Sequence, residues 1–267
     1  MTKPRLGLAL GSGAAKGFAH IGVLKALTEH GIEPDVITGS SMGSLIGAFY
    51  VTGMRPAFMD RLACTVKWRH WLDVTVPRVG LVAGEKIHQM IVMLTRGLEF
   101  RQVSLPFGVV ATDLAARESV LITEGKLADA VRASISIPGV FVPMVMGDRV
   151  LVDGGVLERV PIEAARKLGA DVVVAVDVGA IQHNHVPETI MDVIMQSLEL
   201  MQQQVNWQLA GRADVYIAPD VSEVSASQFN KAREAIDQGY QATLSAIPEI
   251  QSLLGIDASS RDQTLPQ

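Results

Sequence analysis

The chain has 267 residues, of which 48% are hydrophobic, so it is long enough for one large domain with a well-buried core. Its formal net charge is -5 and only 5% of its residues are aromatic, which excludes the basic surface of a general nucleic-acid-binding protein. The single cysteine, Cys64, excludes an internal disulfide and a cysteine-based metal site, and it fits a reducing compartment.

The first apolar run, residues 6–10, predicts a strand rather than a signal peptide, because glycines interrupt it and no cleavage site follows. No stretch of the chain reaches the roughly 18 to 20 apolar residues that a membrane span needs. We therefore expect a soluble, cytoplasmic protein that at most touches the inner face of the membrane as a peripheral protein.

Short apolar runs with strand character alternate with helical patterns along the chain. This alternation predicts a three-layer α/β/α fold, in which helices cover both faces of a mostly parallel central sheet. The predicted strands are residues 6–10, 36–38, 107–112, 120–123, 150–152, 172–176 and 215–217. The third and fourth of these runs are too close for a crossover, so we expect them to pair antiparallel in a mixed sheet.

Three longer segments complete the predicted organisation. A helix over about residues 15–30 joins the first two strands into a βαβ unit. Residues 55–105 show no clear strand and predict a helical insertion over one end of the sheet, where a lid would lie. Residues 188–209 carry methionines and aliphatic residues at three- and four-residue spacings, which predicts one long amphipathic helix. We expect a single domain over residues 1–255 and a flexible tail over 256–267.

A G-x-S-x-G pentapeptide lies between the second predicted strand and an apolar helical run. The pattern is typical of a nucleophile elbow, a sharp turn that lifts a serine hydroxyl out of the sheet. Gly39 and Gly43 leave room for the turn, and the following helix N-terminus favours an anion formed there. Ser41 is the candidate nucleophile. A turn in which this serine only caps the helix is the alternative.

A glycine-rich loop, residues 11–17, follows the first strand and opens the first helix. Small residues there let backbone N–H groups converge on an anion. A dinucleotide fingerprint would need glycine in place of Lys16, and a P-loop would need serine or threonine in place of Gly17. Because the first two strands are expected to be neighbours, the loop should lie beside Ser41 as an oxyanion hole, unless it serves only tight strand-to-helix packing. The candidate donors are Gly11, Ser12, Gly13 and Ala14.

The third motif is an aspartate, Asp153, at the end of the apolar run 150–152, followed by Gly154 and Gly155. An acid at the end of a strand can reach the same edge of the sheet as Ser41. Asp-Gly is also a common turn signal, so the motif alone fits either a catalytic acid or a turn.

In this order, the glycine loop, the G-x-S-x-G turn and the Asp-Gly-Gly motif resemble those of the patatin-like phospholipases. The resemblance covers about residues 5–248 and extends to the short bacterial members and to the esterase domain of neuropathy target esterase. It implies a patatin-like fold and a lipid ester hydrolase, which is a phospholipase, lysophospholipase or esterase without a metal or other cofactor. Further similar blocks are residues 8–24, 111–114, 133–139, 150–178 and 213–239.

Carried over residue by residue, Ser41 resembles the family's nucleophile and Asp153 resembles the acid that activates and orients it, in a dyad without histidine. Backbone N–H groups around Gly13 and Ala14 would stabilise the oxyanion in a two-step acyl transfer. Lys16 corresponds to an arginine or lysine of the family's glycine loop.

Two departures from the family pattern lie near these residues. Many members have glycine where Ser12 and Ala14 stand, and a β-carbon at position 14 would disfavour a positive φ. Residues 157–161 place charges in a stretch that is usually neutral and rich in asparagine.

Two other functions remain open at this point. In an ordinary α/β-hydrolase, His183 or His185 would follow Asp153 as the general base, although histidines in such a polar loop are more often solvated. His20, beside the glycine loop, also lies near the expected site. A non-catalytic regulatory protein on the same fold would have lost the nucleophile or the acid, and this chain retains both.

The expected partner is a lipid ester substrate, and the sequence predicts no particular oligomeric state. Residues 67–71 place two tryptophans among basic groups, a composition that suits peripheral contact with a bilayer interface. A partly buried helix would explain the same segment.

Overall fold

A computed structural model of the protein describes residues 3–66, 73, 79–180 and 186–256, with only the backbone described for Met191 and residues 202–210. The segment 67–71 lies outside the described residues, as do His183, His185 and all but the first residue of the predicted tail.

Ten strands and eight α-helices lie within the described residues. The strands are β1 (Leu6–Leu10), β2 (Val36–Ser40), β3 (Gly80–Val82), β4 (Phe107–Asp113), β5 (Glu118–Ile122), β6 (Gly139–Phe141), β7 (Met144–Met146), β8 (Arg149–Asp153), β9 (Val172–Val176) and β10 (Val215–Ile217). The helices are α1 (Ala19–Glu29), α2 (Met42–Val51), α3 (Pro56–Thr65), α4 (Glu85–Leu94), α5 (Leu127–Ser134), α6 (Ile162–Lys167), α7 (Ile190–Ala210) and α8 (Ala232–Leu254).

The central sheet has a parallel body with an antiparallel extension. Its parallel strands follow the order β10-β9-β1-β2-β4, and β5, β8 and β7 add antiparallel pairs. The predicted α/β fold with a mostly parallel, mixed sheet is therefore confirmed, including the antiparallel pairing of β4 with β5.

Helices cover both faces of this sheet. The larger apolar cluster packs the sheet against α1, α2, α5 and α8, and a smaller cluster lies between the sheet and α6. The strands β1, β2, β4 and β9 are consequently buried at every residue, which explains why their sequences do not alternate between apolar and polar residues. Within the described part of the chain, no helix has the length and apolar composition that crossing a bilayer requires.

Some elements differ from the prediction. Residues 55–105 contain a strand, β3, which pairs with β6 in a separate two-stranded sheet, so the expectation of a strandless insertion is wrong. The short strands β3, β6 and β7 went unpredicted because each contains glycine or methionine, whereas the equally short β10, which was predicted, consists only of β-branched and aromatic residues. The helix predicted over 15–30 begins as a 3₁₀ turn, Ala14–Phe18, and continues as α1. The long helix predicted over 188–209 is confirmed as α7.

The ends of β2 and β8 meet beside β4. One edge of β4 pairs with β5, whereas the other edge pairs first with β2 and then with β8. Ser40, the last residue of β2, lies opposite Val110, and Asp153, the last residue of the antiparallel β8, lies opposite Ala111. The two strands therefore run towards each other and end at consecutive residues of β4.

Close packing of α1 on α8 requires two glycines. A β-carbon at Gly22 would clash with the Ile236 carbonyl oxygen, and one at Gly239 would clash with the Ala19 carbonyl oxygen. We expect Gly22→Ala and Gly239→Ala each to lower the free energy of unfolding by about 1–3 kcal/mol, because the helices must separate. Urea denaturation measures this.

Gly211→Ala is the matched control, because a β-carbon at this glycine meets nothing within 4 Å. The same loss of stability in the control, or no loss at Gly22 and Gly239, would contradict the prediction.

Candidate active site

Ser41 occupies a strained turn between β2 and α2. Its φ of 52° and ψ of -121° place a non-glycine residue in a sparsely populated region. The glycines on either side are required, since a β-carbon at Gly39 would clash with the Ser44 backbone and one at Gly43 with the Leu10 carbonyl. The Ser41 side chain makes no hydrogen bond that caps α2, which removes the capping alternative. This geometry is the one that a nucleophile elbow would require.

The Ser41 hydroxyl is directed at Asp153 instead. Ser41 Oγ donates a hydrogen bond of 2.6 Å to Asp153 Oδ2, and the Gly155 N–H donates one of 2.8 Å to Asp153 Oδ1. Ser41 and Asp153 are only 3% and 4% exposed. Burial raises the pKa of Asp153 from 3.8 to about 7, although the hydrogen bonds from Ser41 and Gly155 lower it. A carboxyl group with this pKa, in contact with a serine hydroxyl, is suited to accept its proton near neutral pH.

The two glycines after Asp153 allow the chain to turn tightly beside the elbow. A β-carbon at Gly154 would clash with the Val110 carbonyl oxygen, and one at Gly155 would lie 2.9 Å from Ser12 Cβ. Larger residues at either position would push Asp153 away from β4 or from the glycine loop.

Two of the four predicted oxyanion donors are engaged within the fold. The Gly11 N–H donates to the Val176 carbonyl oxygen at 3.0 Å, and the Ser12 N–H donates to the Arg159 carbonyl oxygen at 2.9 Å. These two groups hold the loop in place and are not available to a substrate.

The next two amides of the loop are different. Among the described residues, no acceptor is present for the N–H groups of Gly13 and Ala14. Ala14 has a φ of 47°, so the chain adopts here the left-handed conformation that its β-carbon disfavours, at a cost of roughly 1–2 kcal/mol. A β-carbon at Gly13 would clash with Val178. Gly13 also lines the same cleft as Asp153, and Ala14 follows it directly in the loop.

Two serines that sequence reasoning did not single out support the dyad. Ser134 Oγ accepts a hydrogen bond of 2.8 Å from the Ser41 N–H and donates one of 2.6 Å to the Val110 carbonyl. The Ser136 carbonyl accepts the Asp153 N–H at 2.9 Å. Both serines belong to the block 133–139 that carries the family resemblance, which was the only signal for them.

His20 is buried beside the glycine loop and holds it in position. Its Nε2 donates to the Gly11 carbonyl oxygen at 2.7 Å, and burial lowers its pKa from 6.5 to about 4, which keeps it neutral. No histidine among the described residues is hydrogen-bonded to Ser41 or Asp153.

Among the described residues, the charged stretch 157–161 makes no hydrogen bond or ion pair with Asp153, although Arg159 lines the same cleft. The buried Arg159 pairs with Asp177, with Nε 3.0 Å from Oδ1. Glu158 accepts a hydrogen bond from Ser119 at the surface. The charges in this departure from the family pattern are therefore bound by partners outside the dyad.

A narrow cleft has Asp153 in its lining. Asp153 and Gly13 line one side, and the α7 residues Met195, Leu198 and Glu199 line the other. Glu199 also forms a buried ion pair with Lys16 of the glycine loop, at 3.3 Å. Helix α7 thus covers the cleft and is bound to the loop beneath it.

Known proteins share sequence with a large part of this chain. Residues 8–166 match the family model of the patatin-like phospholipases. An uncharacterized NTE family protein of Mycobacterium tuberculosis is 37% identical over 187 residues, which cover 66% of this chain and 49% of the relative. Lysophospholipase NTE1 of Coccidioides immitis is 36% identical over 187 residues, which cover 67% of this chain and 12% of the relative. The chain spans about half the length of the first relative and a small part of the second.

Solved structures share the fold at low sequence identity. VipD from Legionella pneumophila aligns with a TM-score of 0.54 and 14% identity, over 92% of this chain and 67% of VipD. A type III effector protein, ExoU, aligns with a TM-score of 0.51 and 12% identity, over 93% of this chain and 53% of ExoU. These similarities establish the fold alone.

Burial of Asp153 predicts a stability gain when its charge is removed. Because its pKa is raised in the folded state, the folded protein binds a proton that the unfolded chain has lost between about pH 4 and 7, so stability falls as pH rises through this window. We expect Asp153→Asn to raise the free energy of unfolding at pH 8, by up to about 4 kcal/mol at 1.4 kcal/mol per pKa unit. Denaturant unfolding at several pH values measures this gain.

The gain should shrink towards pH 4, where Asp153 is protonated in the wild type. The exposed Asp148 provides the control, since Asp148→Asn should change stability little at any pH. A gain that does not depend on pH, or a loss at pH 8, would contradict the assignment.

Proposed function

Because the chain belongs to the patatin-like phospholipase family, we propose that it is a serine lipid acyl hydrolase with a Ser41–Asp153 dyad. The observation that carries this proposal is the 2.6 Å hydrogen bond from Ser41 to Asp153, made by a serine on a strained elbow. The same contact supports a dyad without histidine, because the Ser41 hydroxyl donates its hydrogen bond to the Asp153 carboxylate, which can therefore accept the proton.

The first half of the reaction is acylation. Asp153, when ionised, takes the proton from Ser41 Oγ as the oxygen attacks the carbonyl carbon of the ester. The carbonyl oxygen becomes an oxyanion, and the N–H groups of Gly13 and Ala14 donate hydrogen bonds to it. The protonated Asp153 then gives its proton to the leaving alcohol, and the acyl group remains on Ser41.

The second half is hydrolysis of the acyl-enzyme. A water molecule occupies the position of the departed alcohol, and Asp153 removes its proton during attack on the acyl carbonyl. The same two amides stabilise the second oxyanion, and Ser41 leaves with the proton from Asp153. One carboxyl group therefore serves as base and acid in turn, which a pKa of about 7 allows at neutral pH.

The substrate class is a phospholipid, a lysophospholipid or another long-chain ester. The name of the Coccidioides relative, a lysophospholipase, supports this class, as do the apolar side chains of Met195 and Leu198 at the cleft. The exposed free thiol of Cys64 is consistent with a reducing compartment such as the cytoplasm.

Labelling with a fluorophosphonate probe tests the nucleophile. We expect one adduct, located on Ser41 by mass spectrometry, because the probe reacts with an activated serine held beside an oxyanion hole. Ser41→Ala should give no adduct, and Asp153→Asn should react at least about a hundredfold more slowly, since no base removes the proton. Ser104→Ala, at an exposed serine whose hydroxyl donates to the Val51 carbonyl, is the control and should react as the wild type does.

A folded wild type that forms no adduct would contradict the hydrolase and favour a non-catalytic regulatory protein. An adduct on another serine would contradict the choice of Ser41.

The pH dependence of the reaction tests the role of Asp153. Only the ionised carboxylate accepts the serine proton, so kcat/KM should rise tenfold per pH unit below about pH 7 and level off above it. The profile is measured with a water-soluble ester. Activity that stays constant down to pH 5 would show that the base is not Asp153.

A further inference from the structure

Two backbone carbonyl groups hold the glycine loop immediately before the proposed oxyanion donors. The N–H groups of Gly11 and Ser12 donate to the carbonyl oxygens of Val176 and Arg159, at 3.0 and 2.9 Å. The proposed oxyanion donors are the next two residues of the loop. Their position therefore depends on where these two carbonyl groups lie.

One buried ion pair links the two segments that supply these carbonyl groups. Arg159 Nε donates a hydrogen bond of 3.0 Å to Oδ1 of Asp177, the residue that directly follows Val176 at the end of β9. Both side chains of the pair are only 2% exposed. The pair therefore joins the segment between β8 and α6 to the end of β9, where the loop is held.

Three further hydrogen bonds fix Asp177. Its Oδ1 also accepts the Gly179 N–H at 2.9 Å, its Oδ2 accepts the Tyr216 hydroxyl at 2.7 Å, and its own N–H donates to the Ile217 carbonyl oxygen at 3.0 Å. The carboxylate thus has one well-defined position, and it offers Arg159 a rigid partner.

Stability is a weak reason for such a pair. Two charges lose their hydration on burial, and replacing a buried ion pair with apolar residues is often neutral or stabilising. The Nη2 atom of Arg159 is also buried without a hydrogen-bond acceptor among the described residues, which adds a further cost. The pair does fix the distance and direction between its two partners, and Arg159 lines the same cleft as Asp153.

We propose that the Arg159–Asp177 ion pair positions the oxyanion hole, because it holds the two carbonyl groups to which the glycine loop is bound. The inference rests on the hydrolase mechanism proposed above. The two residues act through the loop, so they are positioning residues rather than catalytic residues. A misplacement of about 1 Å in an active site can lower the rate about a hundredfold, so a small shift of the loop is sufficient for a large effect.

Hydrogen exchange of the loop and ester hydrolysis together test the proposal. In Arg159→Met, the amides of residues 11–12 should exchange at least about tenfold faster, because their acceptors are no longer held. With a water-soluble ester, kcat should fall at least about tenfold at unchanged KM, since the lost interaction is made only in the transition state. The pH midpoint of kcat/KM should stay near 7, because burial, Ser41 and Gly155 set the pKa of Asp153.

Arg166→Met is the matched control for this variant. Arg166 also forms an ion pair with an aspartate, Asp214, at 2.8 Å, but both side chains are partly exposed and neither belongs to the glycine loop or to the segments that hold it. The control should leave both the exchange of the loop and kcat unchanged. Thermal unfolding confirms that the variants are folded.

A second pair of variants avoids an unpaired buried charge, in case Arg159→Met does not fold. Tyr216→Phe removes one hydrogen bond from Asp177 and should lower kcat by about fivefold, with faster exchange of the loop. Tyr240→Phe removes a surface hydroxyl that donates to Glu29 and should change neither measurement.

The two measurements separate the positioning role from the hydrolase itself. Unchanged exchange in the Arg159 and Tyr216 variants, or faster exchange with an unchanged kcat, would overturn the proposal. A loss of kcat with a shifted pH midpoint would also overturn it, because the pair would then act on the dyad. Faster exchange of the loop, in a protein whose wild type hydrolyses no ester, would support the positioning of the loop while refuting the proposed function.

Discussion

The site depends on one constraint, the meeting of two strand ends beside β4. Because β2 and the antiparallel β8 end opposite Val110 and Ala111, the serine after one strand and the aspartate that ends the other are held within 2.6 Å. The rest of the site follows from this contact. Ser134 and Ser136 accept hydrogen bonds from the backbone N–H groups of Ser41 and Asp153. The neighbouring glycines are required because a β-carbon at these positions would clash. The dyad is therefore a product of sheet topology rather than of a flexible loop.

Burial of Asp153 sets its pKa and lowers the stability of the folded protein when this carboxyl group is ionised. Removing Asp153 from water raises its pKa to about 7, which suits its carboxyl group to accept a proton near neutral pH and destabilises the fold once the group is ionised. The other buried charges near the cleft are paired. Arg159 is bound to Asp177 and Lys16 to Glu199, so within the described part of the chain Asp153 has hydrogen bonds but no ion pair to stabilise its charge. The neutral, buried His20 contributes to the loop and takes no part in this electrostatic balance.

Much of the fold was predictable because its longer strands are mostly apolar runs separated by turn residues. Most of the confirmed strand predictions lie in these runs. The strands β3, β6 and β7 were not predicted, since their glycines and methionines give a weak strand pattern, whereas the equally short β10 consists of β-branched and aromatic residues. Within the site, the sequence motifs predicted the residues Ser41 and Asp153, which the fold brings together. They did not reveal that the N–H groups of Gly11 and Ser12 donate hydrogen bonds to carbonyl groups that are distant in the sequence. Nor did they reveal Ser134, whose role arises only from tertiary contact.

The central claim is that Asp153 changes its protonation state near neutral pH while bonded to Ser41. Infrared difference spectroscopy of the wild type against Asp153→Asn follows this carboxyl group directly, because only its protonated form has a carboxylic C=O stretch. The account predicts that this band is present at pH 5 and disappears with a midpoint near pH 7, the midpoint that governs acylation of Ser41. A carboxyl group already ionised at pH 5 would contradict it.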